Sequence, residues 1–350
     1  MAVMVTGTGF IGSYVVRDLL EAGEQVVLYG YFGGSGEPAS LELPDLQFLD
    51  SLIGGDLFDR VTPVVGDVTD LPGLLRAVQA HDVRSIVHLA SKMTTATEAN
   101  PASAVRINAE GTATIFEAGA QAALDKIVFA SSISVFSRKS IGSTGFITDD
   151  SPCDPQDVYG ATKVLCERLA KSYYERHGLD VTGLRISKVY GYGEHVKAGR
   201  GGGSYWLMRL LRDAAIGSEP TVVPFGDKSM DFHYVEDVSD SFVQALRAPH
   251  GVGSSYLTHG DYRRIRDAYS FVKKLLPDAA VTLVEGQGDL RRGFSTAWEL
   301  PFDASRAESD LGIKNRFPME AGVLKTINSN RANAGLPAIV VPDELRAYLA

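Results

Sequence analysis

Apolar residues in the first half of the chain follow two rhythms. Short runs at 3–5, 25–29, 63–65, 85–90, 126–130 and 180–186 alternate with stretches whose apolar positions recur every three or four residues, at 10–20, 71–80, 102–120 and 155–177. The first rhythm predicts buried strands and the second predicts helices packed by one face. Strands separated by helices pair in parallel through right-handed crossovers. The spacing therefore predicts an α/β fold, a doubly wound parallel Rossmann-type sheet. Gly23 and Gly178 stop two of the helices, and Asp154, followed by Pro155, is expected to cap the longest.

Beyond Val189 the texture changes. Gly191-Tyr192-Gly193 and the glycines of 199–203 predict irregular chain, and helical patterns follow at 205–215, 235–247 and 265–276. The tail at 306–328 is helical, interrupted by Gly312 and Pro318. Residues 1–187 are expected to form a nucleotide-binding domain to which 232–258 returns. Residues 188–231 and 259–350 then make a smaller carboxy-terminal substrate-binding part over the sheet's carboxyl edge, unable to fold alone.

Composition narrows the function classes. The chain has 350 residues, 45% of them hydrophobic, enough for a large core. A net charge of -9 argues against nucleic acid as a partner, because that affinity rests on clustered Lys and Arg. No apolar run reaches the length of a membrane span, and the chain enters its first strand without a basic leader, which points to the cytoplasm. Cys153 and Cys166 are too few for a disulfide framework or a metal site. Cys166 shares a helical stripe with Val158, Thr162, Leu165, Leu169 and Tyr173, so it is expected in the core. His88 and His233 are expected to be structural, and no metal cluster is expected.

The first chemical signal is Gly7-Thr8-Gly9-Phe10-Ile11-Gly12, directly after the first strand. Glycines there allow a tight turn, close approach to a pyrophosphate and tight helix–strand packing, with the phosphates meeting backbone N–H groups at the helix start. An acidic residue closing the second strand would favour NAD and a basic one NADP. The strand ends in Tyr29-Gly30-Tyr31, with neither. With no Arg or Lys nearby, NAD is expected and NADP stays open. Asp67 and Val68, after the third strand, are placed to flank adenine.

The second signal is Tyr159-Gly160-Ala161-Thr162-Lys163, with Ser132 upstream at a strand end. Four residues apart on a helix, Tyr159 and Lys163 share one face. A free phenol ionises near pH ~10, too high for a general base. The Lys163 ammonium and an oxidised nicotinamide are expected to lower it, so that Tyr159 takes a hydroxyl proton while hydride leaves the same carbon. Lys163 would also bind the nicotinamide ribose, and Ser132 would hydrogen-bond the reacting oxygen.

These motifs, with Gly66-Asp67-Val68, His88-Leu89-Ala90, Asn108-Ala109-Glu110-Gly111-Thr112, Ser131-Ser132, Leu184-Arg185, Val189-Tyr190-Gly191, the stretch 231–237 and Asp303-Ala304-Ser305-Arg306, make the chain resemble the extended short-chain dehydrogenase/reductase family, often labelled NAD-dependent epimerase/dehydratase. The likeness runs over about residues 3 to 325. It implies that Leu89, Ala90, Ser91, Asn108 and Ser131 lie beside the cofactor. Met93, Lys188, Arg291 and Arg292 fall on the substrate side, the last two where the family places a diphosphate-binding Arg. The chain departs from the family at a glycine loop one residue shorter than usual, at Lys188 and Tyr192 in place of Asn and Pro, and at Met230 in place of Arg. The family's dehydratases carry carboxyl groups directly after the Ser/Thr, where this chain has Ile133-Ser134, so dehydration is not expected. The resemblance implies an epimerase acting on a sugar or sugar nucleotide. A simple dehydrogenase of a small alcohol is the alternative, and a non-catalytic NAD(P) sensor a minor one. The family's usual pairing through two long helices implies a homodimer.

Overall fold

The computed structural model describes residues 2–31, 44–198, 205–249, 253–286 and 296–349. The six apolar runs are strands β1 (Ala2–Thr6), β2 (Gln25–Gly30), β3 (Val61–Val65), β4 (Val83–His88), β5 (Lys126–Ser132) and β6 (Val181–Ile186). Shorter strands follow: β7 (Val189–Tyr190), β8 (Thr221–Val223), β9 (Ser229–Tyr234), β10 (Ser255–Thr258), β11 (Asp261–Arg264) and β12 (Val281–Leu283). The main sheet runs β10-β6-β5-β4-β1-β2-β3 with every pair parallel. Sheets β11-β9-β7 and β12-β8 belong to the carboxy-terminal part.

Away from the edge strand β3, both faces of the main sheet are buried, which is why its strands read as mostly apolar runs. Val3 and Val5 of β1 face one core cluster and Met4 faces the other. The strand order reverses between β1 and β4, and ligands of such sheets bind in the crevice at that point, outside the carboxyl ends. The glycine loop leaves β1 there, and Leu89-Ala90 leaves β4. The helix Val235–Arg247 packs on the helix Phe10–Glu21, and β10 pairs with β6, so this later segment rejoins the main sheet. Residues of β9 pair with β7 and β11.

Several expected boundaries move. The longest helix spans Val158–His177 and is capped by Asp157, whose Oδ1 accepts from Gly160 N at 2.7 Å. Asp154 is committed elsewhere, accepting from Ser137 Oγ at 2.5 Å. The expected helix at 102–120 runs from Pro101 to Gln121 with a π-helical stretch, Val105–Glu110, inside it. Such bulges mark functional positions in many helices, and this one carries Asn108. Cys166 is buried as expected, but Leu165, on the same expected stripe, is 47% exposed. The helix Pro44–Ile53, inserted between β2 and β3, was not anticipated.

Lys126 shows how closely the layers are tied. Its Nζ is buried under the carboxyl end of the Val235–Arg247 helix and donates to the carbonyls of Ala248 at 2.6 Å and Pro249 at 3.2 Å, with Asp180 at 3.2 Å. A cation there satisfies helix-end carbonyls and complements the helix dipole. Lys126→Met strands those carbonyls in the core and is expected to lower the unfolding free energy by about 2–4 kcal/mol, read from chemical denaturation.

Candidate active site

The cofactor cradle begins where β1 stops. Gly7 has φ +88, and a Cβ on it would lie 2.7 Å from Ala90 N, so only glycine lets the loop press against the end of β4. A Cβ on Gly12 would lie 2.1 Å from Gly7 O, which keeps the helix start folded over the loop. Gly9 caps the Phe10–Glu21 helix without any side-chain hydrogen bond. A helix N-terminus capped this way presents backbone N–H groups to an anion, so the cradle fits a dinucleotide pyrophosphate. Thr8 is buried, and Ile11 packs against the core as a half-buried residue. Phe10 buries its ring against Tyr14, so any contact it makes with a cofactor is through its backbone.

At the next strand end, the helix that carries Tyr159 starts beside Ser132, whose hydroxyl acts on the Tyr159 phenol and lowers its pKa against the effect of burial. Lys163 Nζ donates to Ala130 O at 2.8 Å and lies 5.5 Å from the Tyr159 ring centroid. A glycine next to Tyr159 makes this possible: a Cβ on Gly160 would lie 2.2 Å from Ser134 O, so the helix sits directly on the loop after Ser132. Ser134 Oγ is 3.2 Å from Ser132 Oγ, and Ile133 is buried. The expected sign of the Tyr159 shift is corrected here. Burial raises the phenol's pKa, the Ser132 hydroxyl only partly opposes this, and burial also lowers the pKa of Lys163. In the chain by itself Tyr159 is a neutral phenol.

Behind this pair lies a polar network. Asn108 holds the backbone of Lys92 from both sides, accepting from its N–H at 2.7 Å and donating to its carbonyl at 3.1 Å. This fixes the segment carrying Leu89, Ala90, Ser91 and Met93 at the rim of the crevice. His88 bridges Thr6 Oγ1 at 2.6 Å and Thr112 Oγ1 at 3.0 Å, and burial lowers its pKa to about 3, so it is neutral and structural. His233, equally buried, has its Nδ1 3.2 Å from Ser187 Oγ. Ser131 turns its hydroxyl to Glu167 Oε1 at 2.6 Å, which leaves its backbone for a cofactor.

At the adenine end, Asp67 Oδ1 accepts from Thr69 N at 2.9 Å and Thr69 Oγ1 at 2.8 Å, and Arg106 stands 3.7 Å from the same carboxylate. Val68 is buried under Gly111. On the substrate side, Lys188 is buried, not presented: Nζ donates to Glu194 Oε1 at 2.6 Å and Val189 O at 2.8 Å, 5.7 Å from the Trp298 ring. Arg291 and Arg292 lie outside the described residues. Sequence reasoning missed Glu167, Glu194 and Trp298. Glu167 carried a signal, lying one turn beyond Lys163, whereas Glu194 and Trp298 are brought in only by the fold. Among the described residues no His, Cys, Asp and Glu group could hold a metal ion.

The family model described as "NAD dependent epimerase/dehydratase family" matches residues 3–257. The UDP-glucose 4-epimerase of Mycolicibacterium smegmatis is 28% identical over 337 residues, covering 93% of this chain and 97% of its own. UDP-glucuronate 4-epimerase 3 of Arabidopsis thaliana is 30% identical over 347 residues, covering 93% of this chain and 75% of its own. The crystal structure of UDP-glucuronic acid 4-epimerase from Bacillus cereus, in complex with UDP-glucuronic acid and NAD, superposes with a TM-score of 0.75 at 24% identity, over 95% of this chain and 100% of its own.

One buried carboxyl near the site gives a pH signature. Asp149 accepts from Leu257 N, its Oδ2 has no partner, and burial lifts its pKa from 3.8 to about 6. The folded chain thus holds a proton that the unfolded chain releases. That contribution to stability is full below the unfolded value and is lost as pH rises through the folded one, by about 3 kcal/mol at most. The stability advantage of Asp149→Asn over the parent is expected to shrink as pH falls from about 7 to about 4. Denaturation at both pH values checks this, and a constant difference contradicts it.

Proposed function

The chain belongs to the NAD dependent epimerase/dehydratase family, and on that premise we propose that it is an NAD-dependent epimerase acting on a sugar nucleotide. The observation that carries this reading is the seating of the Tyr159–Lys163 helix on the end of β5, with Gly160 against Ser134 O and Lys163 Nζ 2.8 Å from Ala130 O and 5.5 Å from the Tyr159 ring centroid, next to a glycine cradle shaped for a dinucleotide. Residues 7–12, from Gly7 to Gly12, would hold the pyrophosphate of NAD and Asp67 with Val68 its adenine end. Leu89, Ala90, Ser91, Asn108, Ser131, Tyr159 and Lys163 would line the rest. Bound NAD supplies a hydride acceptor and a positive charge beside the phenol.

The residues supply the proton chemistry. Ser132 holds the substrate hydroxyl oxygen and Tyr159 accepts its proton as the C–H hydride departs, leaving a ketone. When hydride returns to the opposite face of that carbon, Tyr159 gives the proton back and the stereocentre is inverted with no net redox change. Met93 and Ser132 face the sugar in this reading. Lys188 serves from beneath and, paired with Glu194, adds no free charge. Absence of a carboxyl at Ile133-Ser134 argues against water elimination.

We also assign a homodimer. Leu165 on the Tyr159 helix and Val105 on the Asn108 helix are 47% and 49% exposed, apolar surface that two facing helix pairs would cover. No helix among the described residues is long and apolar enough to cross a membrane. Two free thiols suit the cytoplasm.

Incubation with UDP-glucose or UDP-glucuronate, followed by NMR of the nucleotide sugar, tests the activity. Formation of the 4-epimer without net NADH is the expected result. Net NADH marks a dehydrogenase, and neither change marks binding without turnover. Tyr159→Phe is expected to lower turnover about 10³-fold while bound NAD is retained, and near-normal turnover would refute the assigned base. Leu165→Glu with Val105→Glu is expected to give a monomer by analytical ultracentrifugation, and an unchanged dimer rejects that interface.

A further inference from the structure

Three side chains of the Val158–His177 helix, spaced four residues apart, meet three successive residues of β5. The Ser132 hydroxyl acts on the Tyr159 phenol, Lys163 donates to the carbonyl of Ala130 at 2.8 Å, and Glu167 Oε1 accepts from Ser131 Oγ at 2.6 Å. Residues four apart lie on one side of a helix, so the helix is stitched lengthwise to the strand that ends in Ser132. The Glu167 stitch is itself held from a third element. Arg185 of β6, paired in register with Ser131, donates Nε and Nη2 to the two Glu167 oxygens at 2.9 and 2.8 Å. The side chains are 8% and 9% exposed. The same guanidinium donates Nη1 to Asp149 O at 2.7 Å and lies 4.9 Å from the ring of Phe136, in the loop that follows Ser132.

A buried ion pair of this kind is a poor source of stability, since apolar side chains of similar volume often do as well. What a bidentate Arg–carboxylate pair does supply is fixed geometry. We propose that Glu167, clamped by Arg185, is a positioning residue: it sets the register of the Tyr159 helix on β5 and thereby the contact of Tyr159 and Lys163 with the end of that strand. Neither Glu167 nor Arg185 touches that contact; they act through Ser131 and through the helix. The groups facing Tyr159 are Ser132, Asp157 and Cys166 together with Lys163, and those facing Lys163 are His88, Cys166 and Glu167. Reacting groups displaced by about 1 Å lose on the order of 10²-fold in rate. The turnover readout rests on the epimerase reading above, whereas the geometry does not.

The test uses the full-length, NAD-loaded enzyme. Glu167→Gln keeps the volume but turns an N–H₂ toward the Arg185 donors, and Ser131→Ala removes the tie to the strand while leaving the ion pair intact. Expected are a fall in kcat of about 30–100-fold for Glu167→Gln and about 3–10-fold for Ser131→Ala, with the KM for the sugar nucleotide and the bound NAD within about threefold of the parent. Ultraviolet difference titration, with Tyr159→Phe as the blank, should find the phenol ionising at higher pH in Ser131→Ala, which alters no charge, because a loosened helix brings the Ser132 hydroxyl and Lys163 less close to the phenolate. The double replacement Glu167→Leu with Arg185→Leu should keep the melting temperature yet stay slow. Parent-like kcat and phenol titration in the folded variants overturn the proposal. If Glu167→Gln does not fold, Ser131→Ala decides by the same two readouts. If the parent turns over no sugar nucleotide, the epimerase reading fails and the titration still decides this one.

Discussion

Everything at the centre of this molecule depends on desolvation of a phenol and an ammonium packed side by side under a helix. Burial drives Tyr159 toward the protonated form and Lys163 toward the deprotonated form, so both are pushed away from charge. The chain itself offers only modest counterweights: the Ser132 hydroxyl for the phenol, and the Ala130 carbonyl with the nearby Glu167 for the ammonium. A phenol buried this way ionises more readily only where further positive charge arrives beside it. The sequence spacing alone suggested that Lys163 would lower the phenol's pKa. The i, i+4 relation places the two side chains together, but burial that raises the phenol's pKa also lowers that of Lys163.

The same helix explains why so much of the fold could be read from the chain. Strands β1, β2, β4, β5 and β6 are largely buried on both faces, and each leaves a short, mostly apolar run that needs no knowledge of its neighbours. The glycine loop and the Tyr159–Lys163 pair are also local: each is a few residues whose spacing alone carries the geometry. The strands β7 to β12 were not legible, because they are two to six residues long with polar members, and tertiary pairing decides them. Asp154 against Asp157 shows the limit at single-residue scale. Both are good caps, and the choice falls to Asp157 because Ser137 already holds Asp154.

Pairings across long sequence distances were the least legible part of the site. Arg185 was visible as a motif residue, yet nothing local shows that its guanidinium holds Glu167, the Asp149 carbonyl and the Phe136 ring at once. Lys188 looked like an available cation for an anionic substrate. The fold instead buries it at 6% exposure and supplies Glu194, itself at 3%. Bringing a lysine into a low-dielectric site without a partner would be expensive, so the partner had to come from somewhere. It comes from the turn Gly191-Tyr192-Gly193, whose Gly193 takes φ +97 and has no room for a Cβ beside the Phe48 ring.

That turn links the two halves of the ligand site. Tyr14, on the helix that opens at the glycine loop, donates its hydroxyl to Tyr192 O at 2.9 Å, and the Phe48 ring packs at a tilt against both Tyr14 and Tyr192. The segment on the substrate side is therefore held by the helix whose first turn forms the phosphate cradle and by the helix inserted after β2. Strength at this junction comes from aromatic packing and one hydrogen bond, with the Lys188–Glu194 pair closing it on the inner side. A neutralised pair cannot attract a diphosphate as a bare lysine would, since its field beyond a few ångströms is that of a dipole. Lys188 and Glu194 are better understood as a buried pair that braces the turn after β7 than as a presented cation.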